Sequence, residues 1–146
     1  MPARFRLAYV GRVAVLFLLV AALGCSQGDG RIAVHPVEGQ LTWKGQPLPN
    51  AFVVLHPKDP TDTRVLPARA QTDAEGKFQV TTYDQADGAA AGDYKVTIEY
   101  YRPIKNGSGF EPGPNVLPPK LSRPDTTEIS VRVAAGKNTL EPISLR

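Results

Sequence analysis

The distribution of proline limits the possible folds of this chain more than any other feature. Fourteen of the 146 residues are proline, and almost every apolar run is broken before three helical turns could form. From Val34 onward, apolar and polar residues alternate over short segments that are separated by turn-forming residues. This pattern is typical of an all-β protein.

The alternating segments define the predicted strands. They are Val37–Trp43, Ala51–His56, Arg69–Thr72, Lys77–Tyr83, Tyr94–Tyr100, Thr127–Val133 and Thr139–Leu145. The third and fourth are expected to form a hairpin around Gly76, and Pro142 is expected to confine the last strand to a sheet edge. About seven short strands at this spacing predict an antiparallel Greek-key β-sandwich with two sheets.

Residues 102–125 form the longest stretch without a strand pattern. They contain six prolines and three glycines. A loop of this length on a compact sandwich is typically either disordered or functional. We therefore expect an irregular loop in this segment that is either disordered or functional.

The amino-terminal segment has the pattern of a secretory signal. Arg4, Arg6 and Arg12 precede the apolar run Val13–Leu23, and small residues close it. The run is about half the length that a membrane-spanning helix needs. The segment Ala21–Cys25 resembles a bacterial lipobox, although Ala22 and Leu23 stand in swapped order.

That resemblance implies cleavage before Cys25 and a lipid, with acyl chains such as palmitate, on its sulfur. It predicts a signal peptide over residues 1–24, a lipidated tether over 25–33 and one domain over 34–146. Ser26, in place of the aspartate of an inner-membrane retention signal, favours the outer membrane of the cell envelope. The alternative is an ordinary secretory signal that is cut elsewhere and leaves a free thiol.

Charge gives no indication of a nucleic-acid partner. The three arginines of the predicted signal account for the excess of 17 basic over 14 acidic residues, so the remaining chain has no formal net charge. Binding to nucleic acid requires a persistent basic patch that neutralises phosphates. With one cysteine, a disulfide within the chain is excluded.

A fixed order of short motifs runs through residues 34–146. The motifs are Val37-x-Gly39, Gly45-x-Pro47-Leu48-x-x-Ala51-x-Val53, Thr72-Asp73-x-x-Gly76-x-Phe78, Asp87-Gly88, Gly92-x-Tyr94-x-Val96 and Gly136-x-Asn138. Their combination resembles the carboxypeptidase regulatory-like and transthyretin-like (prealbumin-like) domains, and in particular the small lipoproteins of planctomycete-type bacteria that carry such a domain after a lipobox. The resemblance implies a β-sandwich and does not specify a function.

Catalytic chemistry has few candidate residues. His35 and His56 are the two histidines, and the simplest interpretation places both on the rim of the sandwich. The chain has no zinc-type spacing. It ends Ile143-Ser-Leu-Arg146, without the Tyr-Arg-Gly-Ser tail that accompanies purine-ring hydrolysis in some transthyretin-like proteins. We therefore predict that it is not an enzyme and has no cofactor.

A covalent cross-link and a bound metal both have weak support in the sequence. A Lys–Asn cross-link, as in related adhesin domains, needs a lysine on the first strand, where this chain has Glu38, Gln40 and Thr42. Calcium prefers several clustered carboxylates, and the acidic residues of this chain occupy turns, where aspartate commonly caps its own backbone. The acidic loop residues are Asp73, Glu75, Asp84, Asp87 and Asp93.

Aromatic side chains are the remaining candidates for recognition. Phe110, Tyr101, Tyr83 and Trp43 fall at predicted strand ends or in loops, where aromatics can form a binding rim. The favoured function is a non-catalytic module that is lipid-anchored through Cys25 and binds an envelope protein or glycan. The alternatives are an envelope enzyme or enzyme accessory subunit with an unseen active site, and a metal-stabilised scaffold.

Overall fold

The computed structural model describes residues 30–59 and 61–146. Within these ranges there are thirteen short strands, one 3-10 helix and no α-helix. The segment Arg31–Arg146 forms one compact unit. The all-β prediction is confirmed. The predicted signal peptide over residues 1–24, the lipidated Cys25 and the first part of the tether lie outside the described residues.

The strands and the 3-10 helix follow one another along the chain. They are β1 (Val34–His35), β2 (Val37–Trp43), β3 (Gln46–Pro47), β4 (Phe52–Pro57), β5 (Ala68–Gln71), β6 (Lys77–Gln79), β7 (Ala89–Ala90), β8 (Gly92–Glu99), β9 (Tyr101–Asn106), β10 (Gly109–Asn115), the 3-10 helix (Pro119–Leu121), β11 (Ser130–Val133), β12 (Asn138–Thr139) and β13 (Ile143–Leu145).

Most of the strands belong to two sheets. The first has the order β11–β8–β4–β5 and is antiparallel throughout. The second is built on β2, with which β3 and β6 pair in antiparallel and β12 and β13 in parallel direction. The prediction of a wholly antiparallel sandwich is therefore wrong for the last strand. After β11 the chain passes to the other sheet, where it runs alongside β2 in the same direction.

The core is formed by the alternate residues that the sequence pattern placed inward. On β2, Val37 and Leu41 are buried, while on β4 the buried residues are Val53 and Leu55. The other large buried side chains are Leu48, Phe78, Val80, Tyr94, Val96, Ile98, Leu117, Leu121, Val133 and Leu145. The hydroxyl of Tyr94 donates a hydrogen bond of 2.8 Å to the carbonyl of Ala90, so its burial leaves no unpaired polar group.

The hairpin expected around Gly76 opens between its two ends and forms a corner between the two sheets. β5 pairs with β4, whereas β6 pairs with β2, and a single bridge between Arg69 and Thr81 joins the two segments. The buried hydroxyl of Thr72 holds this corner, because it accepts a hydrogen bond of 2.8 Å from the Ala51 amide and donates one of 2.6 Å to the Leu48 carbonyl. The predicted antiparallel pairing around Gly76 is therefore present at its two ends, where Arg69 and Thr81 exchange hydrogen bonds of 2.9 and 2.8 Å and the Asp73 amide donates one of 2.8 Å to the Lys77 carbonyl.

Gly88 is the position where the backbone has the least room for a side chain. Its φ is +99°, and a Cβ there would lie 1.7 Å from the His35 carbonyl oxygen. Gly45 has a similar φ of +80°, but a Cβ there would meet no atom within 4 Å. The two glycines therefore separate the effect of backbone strain from that of steric overlap.

We expect Gly88→Ala to lower the free energy of unfolding by more than about 3 kcal/mol, because strain and overlap act together. Gly45→Ala, where strain acts alone, should cost about 1 kcal/mol. Urea unfolding followed by the fluorescence of Trp43, the single tryptophan, measures both. Equal losses in the two variants would contradict the close approach of Gly88 to His35.

Candidate binding surface

The segment expected to be an irregular loop contains an ordered hairpin. β9 and β10 form a two-stranded antiparallel sheet of their own, from the pair Asn106–Gly109 at the turn to the pair Tyr101–Asn115 at the base. The turn has two residues, Gly107 and Ser108, and Gly107 has a φ of +59°. Glycine at the first central position is typical of the tight turns that close hairpins. The irregular-loop expectation is therefore wrong for residues 102–115.

The prolines of this hairpin are compatible with pairing because of their register. Pro103 and Pro112 lie directly opposite each other. Hydrogen-bonded and non-hydrogen-bonded pairs alternate along an antiparallel ladder. Counted from the turn-closing pair Asn106–Gly109, the two prolines fall at a non-hydrogen-bonded position, where the partner strand needs no N–H donor. The abundance of proline therefore does not prevent strand formation in this segment.

One face of the hairpin is largely apolar. Alternation along β9 and β10, together with the register, places Tyr101, Pro103 and Lys105 on the same face as Phe110 and Pro112. Residues 102–112 are all exposed, and the side chain of Phe110 is exposed by 76%. Exposed aromatic rings and prolines in one row are uncommon on a solvated hairpin and typical of contact surfaces.

A residue of the main sandwich extends this row. The ring of Phe52, on the outer face of β4, meets the ring of Tyr101 edge to face with a centroid distance of 6.2 Å. Phe52 is 45% exposed. We call the row Phe52, Tyr101, Pro103, Pro112 and Phe110 the aromatic stripe.

The hydroxyl of Tyr101 is held at the edge of the stripe. It donates a hydrogen bond of 3.0 Å to the Glu99 carboxylate, and this bond raises the pKa of Tyr101. Since a tyrosine is protonated at neutral pH even without this contact, its hydroxyl can donate to Glu99. Its ring is fixed between a polar contact to Glu99 and an apolar contact to Phe52, which gives the base of the stripe a defined geometry.

The opposite face of the hairpin has a different composition. It carries Arg102, Ile104 and Glu111, and the side-chain amide of Asn106 donates a hydrogen bond to Glu111. Ile104 is 48% exposed, but no aromatic ring lies on that face. Each face thus has an exposed apolar residue, Phe110 on the stripe and Ile104 on the opposite face.

The base of the hairpin is tied to the sandwich. The side-chain carbonyl of Asn115 accepts hydrogen bonds from the amides of Tyr100 at 3.0 Å and Leu117 at 3.1 Å. The Val116 amide donates to the Tyr100 carbonyl at 3.0 Å, and Leu117 is buried in the core. These contacts fix where the hairpin leaves the domain, so that the stripe begins from a rigid platform.

The four predicted recognition aromatics do not form one surface. Tyr101 and Phe110 lie on the stripe, but Trp43 packs edge to face on Tyr100 at 6.3 Å, with the Lys44 ammonium 4.9 Å from its ring. Tyr83 lies elsewhere, with the Arg31 guanidinium 5.1 Å from its ring centroid. Tyr83 and Trp43 therefore have neighbours outside the stripe, and of the four only Tyr101 and Phe110 share a face of the hairpin.

Phe52, Pro103 and Pro112 are absent from the predicted site residues. The sequence does contain a signal for Phe52, since strand alternation puts it opposite the buried Ala51 and Val53. The two prolines have no such signal, because only the register of the hairpin shows that they share a face with Phe110.

The two histidines occupy separate environments. The Gly136 amide donates a hydrogen bond of 3.2 Å to Nδ1 of His35, which lies on β1. Nε2 of His56, on β4, lies 2.9 Å from the Thr97 hydroxyl, and partial burial lowers the pKa of this histidine. Each ring has a backbone or hydroxyl partner of its own, an arrangement typical of structural histidines.

The acidic loop residues mostly bind their own backbone. The Asp73 carboxylate accepts hydrogen bonds from the amides of Glu75 and Lys77. The Asp87 carboxylate accepts three, from the amides of Thr82 at 2.7 Å and of Tyr83 and Asp84 at 2.9 Å. Among the described residues no group of three His, Cys, Asp or Glu side chains is arranged to hold a metal ion.

Asp87 is the carboxylate whose ionisation should matter most for stability. Partial burial alone would raise the pKa of Asp87, but the amide hydrogen bonds from Thr82, Asp84 and Tyr83 outweigh it and lower the pKa. A group with a lowered pKa in the folded state stabilises the fold above its unfolded pKa, and this stability disappears as the pH falls through the folded value.

We expect Asp87→Ala to cost about 2 kcal/mol at pH 7, because three backbone donors lose a charged acceptor. The difference from the unmodified protein should shrink as the pH falls below about 4. Urea unfolding across this pH range measures it. Asp84→Ala removes an exposed ion pair with Arg31 and should cost less than about 1 kcal/mol. A pH-independent effect of Asp87→Ala would argue against the charged cap.

Comparisons with known proteins add little to this geometry. No protein-family model and no curated protein sequence matches the chain. Among solved structures, a crystal structure of a 9R-lipoxygenase from Cyanothece PCC8801 matches with a TM-score of 0.44 and 14% identity. The match covers 93% of this chain and 20% of the lipoxygenase chain. A likeness at this level does not support enzyme function.

Proposed function

We propose that this protein is a lipid-anchored component of the cell envelope whose β-sandwich is a non-catalytic binding module. The observation that supports this function is the aromatic stripe, which presents exposed rings and prolines on a hairpin tied to the sandwich by Asn115. The proposed partner is an envelope protein or a glycan. Apolar contact area of this kind contributes strongly to binding, since aromatic rings lose little conformational entropy when they are covered.

The proposed anchor is a lipid on Cys25, with the protein held at the outer membrane. Its support is the sequence pattern of residues 1–25. Residues 30–59 and 61–146 contain no helical segment with the length and hydropathy of a bilayer span. The ordered motifs of residues 34–146 support assigning the domain to the carboxypeptidase regulatory-like and transthyretin-like group.

The two alternatives have weaker support. For an envelope enzyme or accessory subunit, His56 is the first residue to examine, but its ring nitrogen contacts the Thr97 hydroxyl and no acidic partner is within hydrogen-bond distance of it among the described residues. For a metal-stabilised scaffold, the oxygens of Asp73 and Asp87 already accept backbone hydrogen bonds. The binding module is therefore the better proposal.

Replacing the anchor residue tests the location. We expect Cys25→Ser to move the protein from the membrane fraction to the soluble fraction, because the sulfur that carries the lipid is lost. Fractionation of cells followed by immunoblotting measures the distribution, and intact mass shows whether acyl chains are present. A variant that still partitions wholly with membranes would overturn the proposed anchor.

Crosslinking in intact cells tests the stripe. We expect one partner to be enriched with the unmodified protein, and Phe110→Ser to reduce its recovery at least tenfold, as loss of an aromatic anchor does. Ile104→Ser removes an exposed apolar residue from the opposite face and should leave recovery within about twofold. Equal losses in both variants would exclude the stripe as the contact surface.

A further inference from the structure

A surface groove of about 840 Å³ lies on the second sheet and is not used by the stripe. It runs over the outer face of β2 and β6 and is bounded by β12 and the end of β5. Four of the six glutamines of the chain line it. They are Gln40, Gln71, Gln79 and Gln85.

The glutamine side chains are mostly available for a ligand. Gln40 donates a hydrogen bond of 3.2 Å to the Glu75 carbonyl. Among the described residues, the side-chain amides of Gln71, Gln79 and Gln85 make no hydrogen bond, and all three residues are exposed. Each amide offers two N–H donors and one carbonyl acceptor. The groove therefore presents several uncharged groups that can donate and accept at the same time.

The acidic groups of the groove are occupied within the protein. Glu38 accepts hydrogen bonds from Lys137 and Thr139, which lower the pKa of Glu38. Asp73 accepts two amide hydrogen bonds in its own turn. Lys77 remains as an exposed cation at the lining. Because both carboxylates already accept hydrogen bonds from the protein, the groove does not favour a cationic ligand. A single lysine is also too little positive charge to favour a polyanion.

The remaining lining provides apolar contact, and its aromatic residue, Phe78, is buried at the base of the groove. Leu140 and Pro142 lie beside the glutamines and offer flat aliphatic surface. A ligand that matches this lining carries many hydroxyl groups, no net charge and aliphatic C–H faces. Neutral sugars have this combination.

We propose that the glutamine-lined groove binds a neutral oligosaccharide. The amides of Gln79 and Gln85 exchange hydrogen bonds with its hydroxyl groups, while Leu140 and Pro142 contact the C–H faces of its rings. This site is separate from the stripe and stands even if the stripe binds no partner. At the rim, Gln71 is the cross-strand neighbour of Phe52, so the two surfaces begin next to each other.

Saturation-transfer NMR on the full chain in lipid nanodiscs tests the site. The probes are maltopentaose, cellopentaose and chitopentaose, with pentagalacturonic acid as the charged comparison. We expect at least one neutral probe to bind, and Gln79→Ala combined with Gln85→Ala to weaken that binding about three- to tenfold per lost hydrogen bond. Gln46→Ala changes an exposed glutamine outside the groove and should leave the affinity unchanged.

Three results would overturn the proposal. The first is no binding of any neutral probe at about 20 mM, which is roughly the weakest affinity of practical interest. The others are equal binding of the acidic probe, and an equal loss of affinity in Gln46→Ala and in the double variant. Phe110→Ser serves as the second control. Phe110 lies outside the groove, so we expect this variant to bind the sugar as the unmodified protein does. The sugar assay therefore tests the groove independently of whether the stripe binds a partner.

Discussion

Every other strand of the second sheet, within residues 30–59 and 61–146, pairs with β2. β6 and β3 pair with successive parts of it in antiparallel direction, and β12 and β13 do so in parallel. The pairing of β2 with β6 requires a glycine at position 39, because the ring of Phe78 occupies the space beside it. A Cβ at Gly39 would lie 2.5 Å from that ring. The sheet therefore depends on one strand and on one missing side chain.

The inward orientation of the core residues also determines which residues lie on the outer faces of the sheets. Since β2 and β6 direct Val37, Leu41 and Phe78 inward, their alternate residues must face solvent. On the second sheet these outward residues include Gln40 and Gln79 of the groove, whereas on the first sheet they include Phe52 of the stripe. In these strands the outward residues therefore contribute to the two candidate surfaces, while the inward residues fill the core.

The sequence predicts the local pattern well and the pairing of strands less well. Alternation identifies the buried apolar residues of β4 and β8, because every second side chain of a strand points to the same face and the apolar face must be buried. It does not identify the buried Thr97 of β8. It cannot show that β5 and β6 pair with different sheets, because this depends on contacts between residues distant in the sequence, such as those of the buried Thr72 hydroxyl with Ala51 and Leu48. Nor can it show the β9–β10 hairpin, where proline is tolerated only because of the register. Of the stripe, Tyr101 and Phe110 are predictable as aromatics, but their common face is not.

The pair of prolines in the hairpin has a consequence for self-association. At a non-hydrogen-bonded position, the backbone N–H of an ordinary residue points outward from the hairpin and can template the addition of another strand. Pro103 and Pro112 lack this donor on the two edges at the same level. The hairpin can therefore expose an apolar row, with Phe110 near its tip, while its edges resist sheet growth between molecules. A protein crowded on a membrane surface would gain from such protection against aggregation.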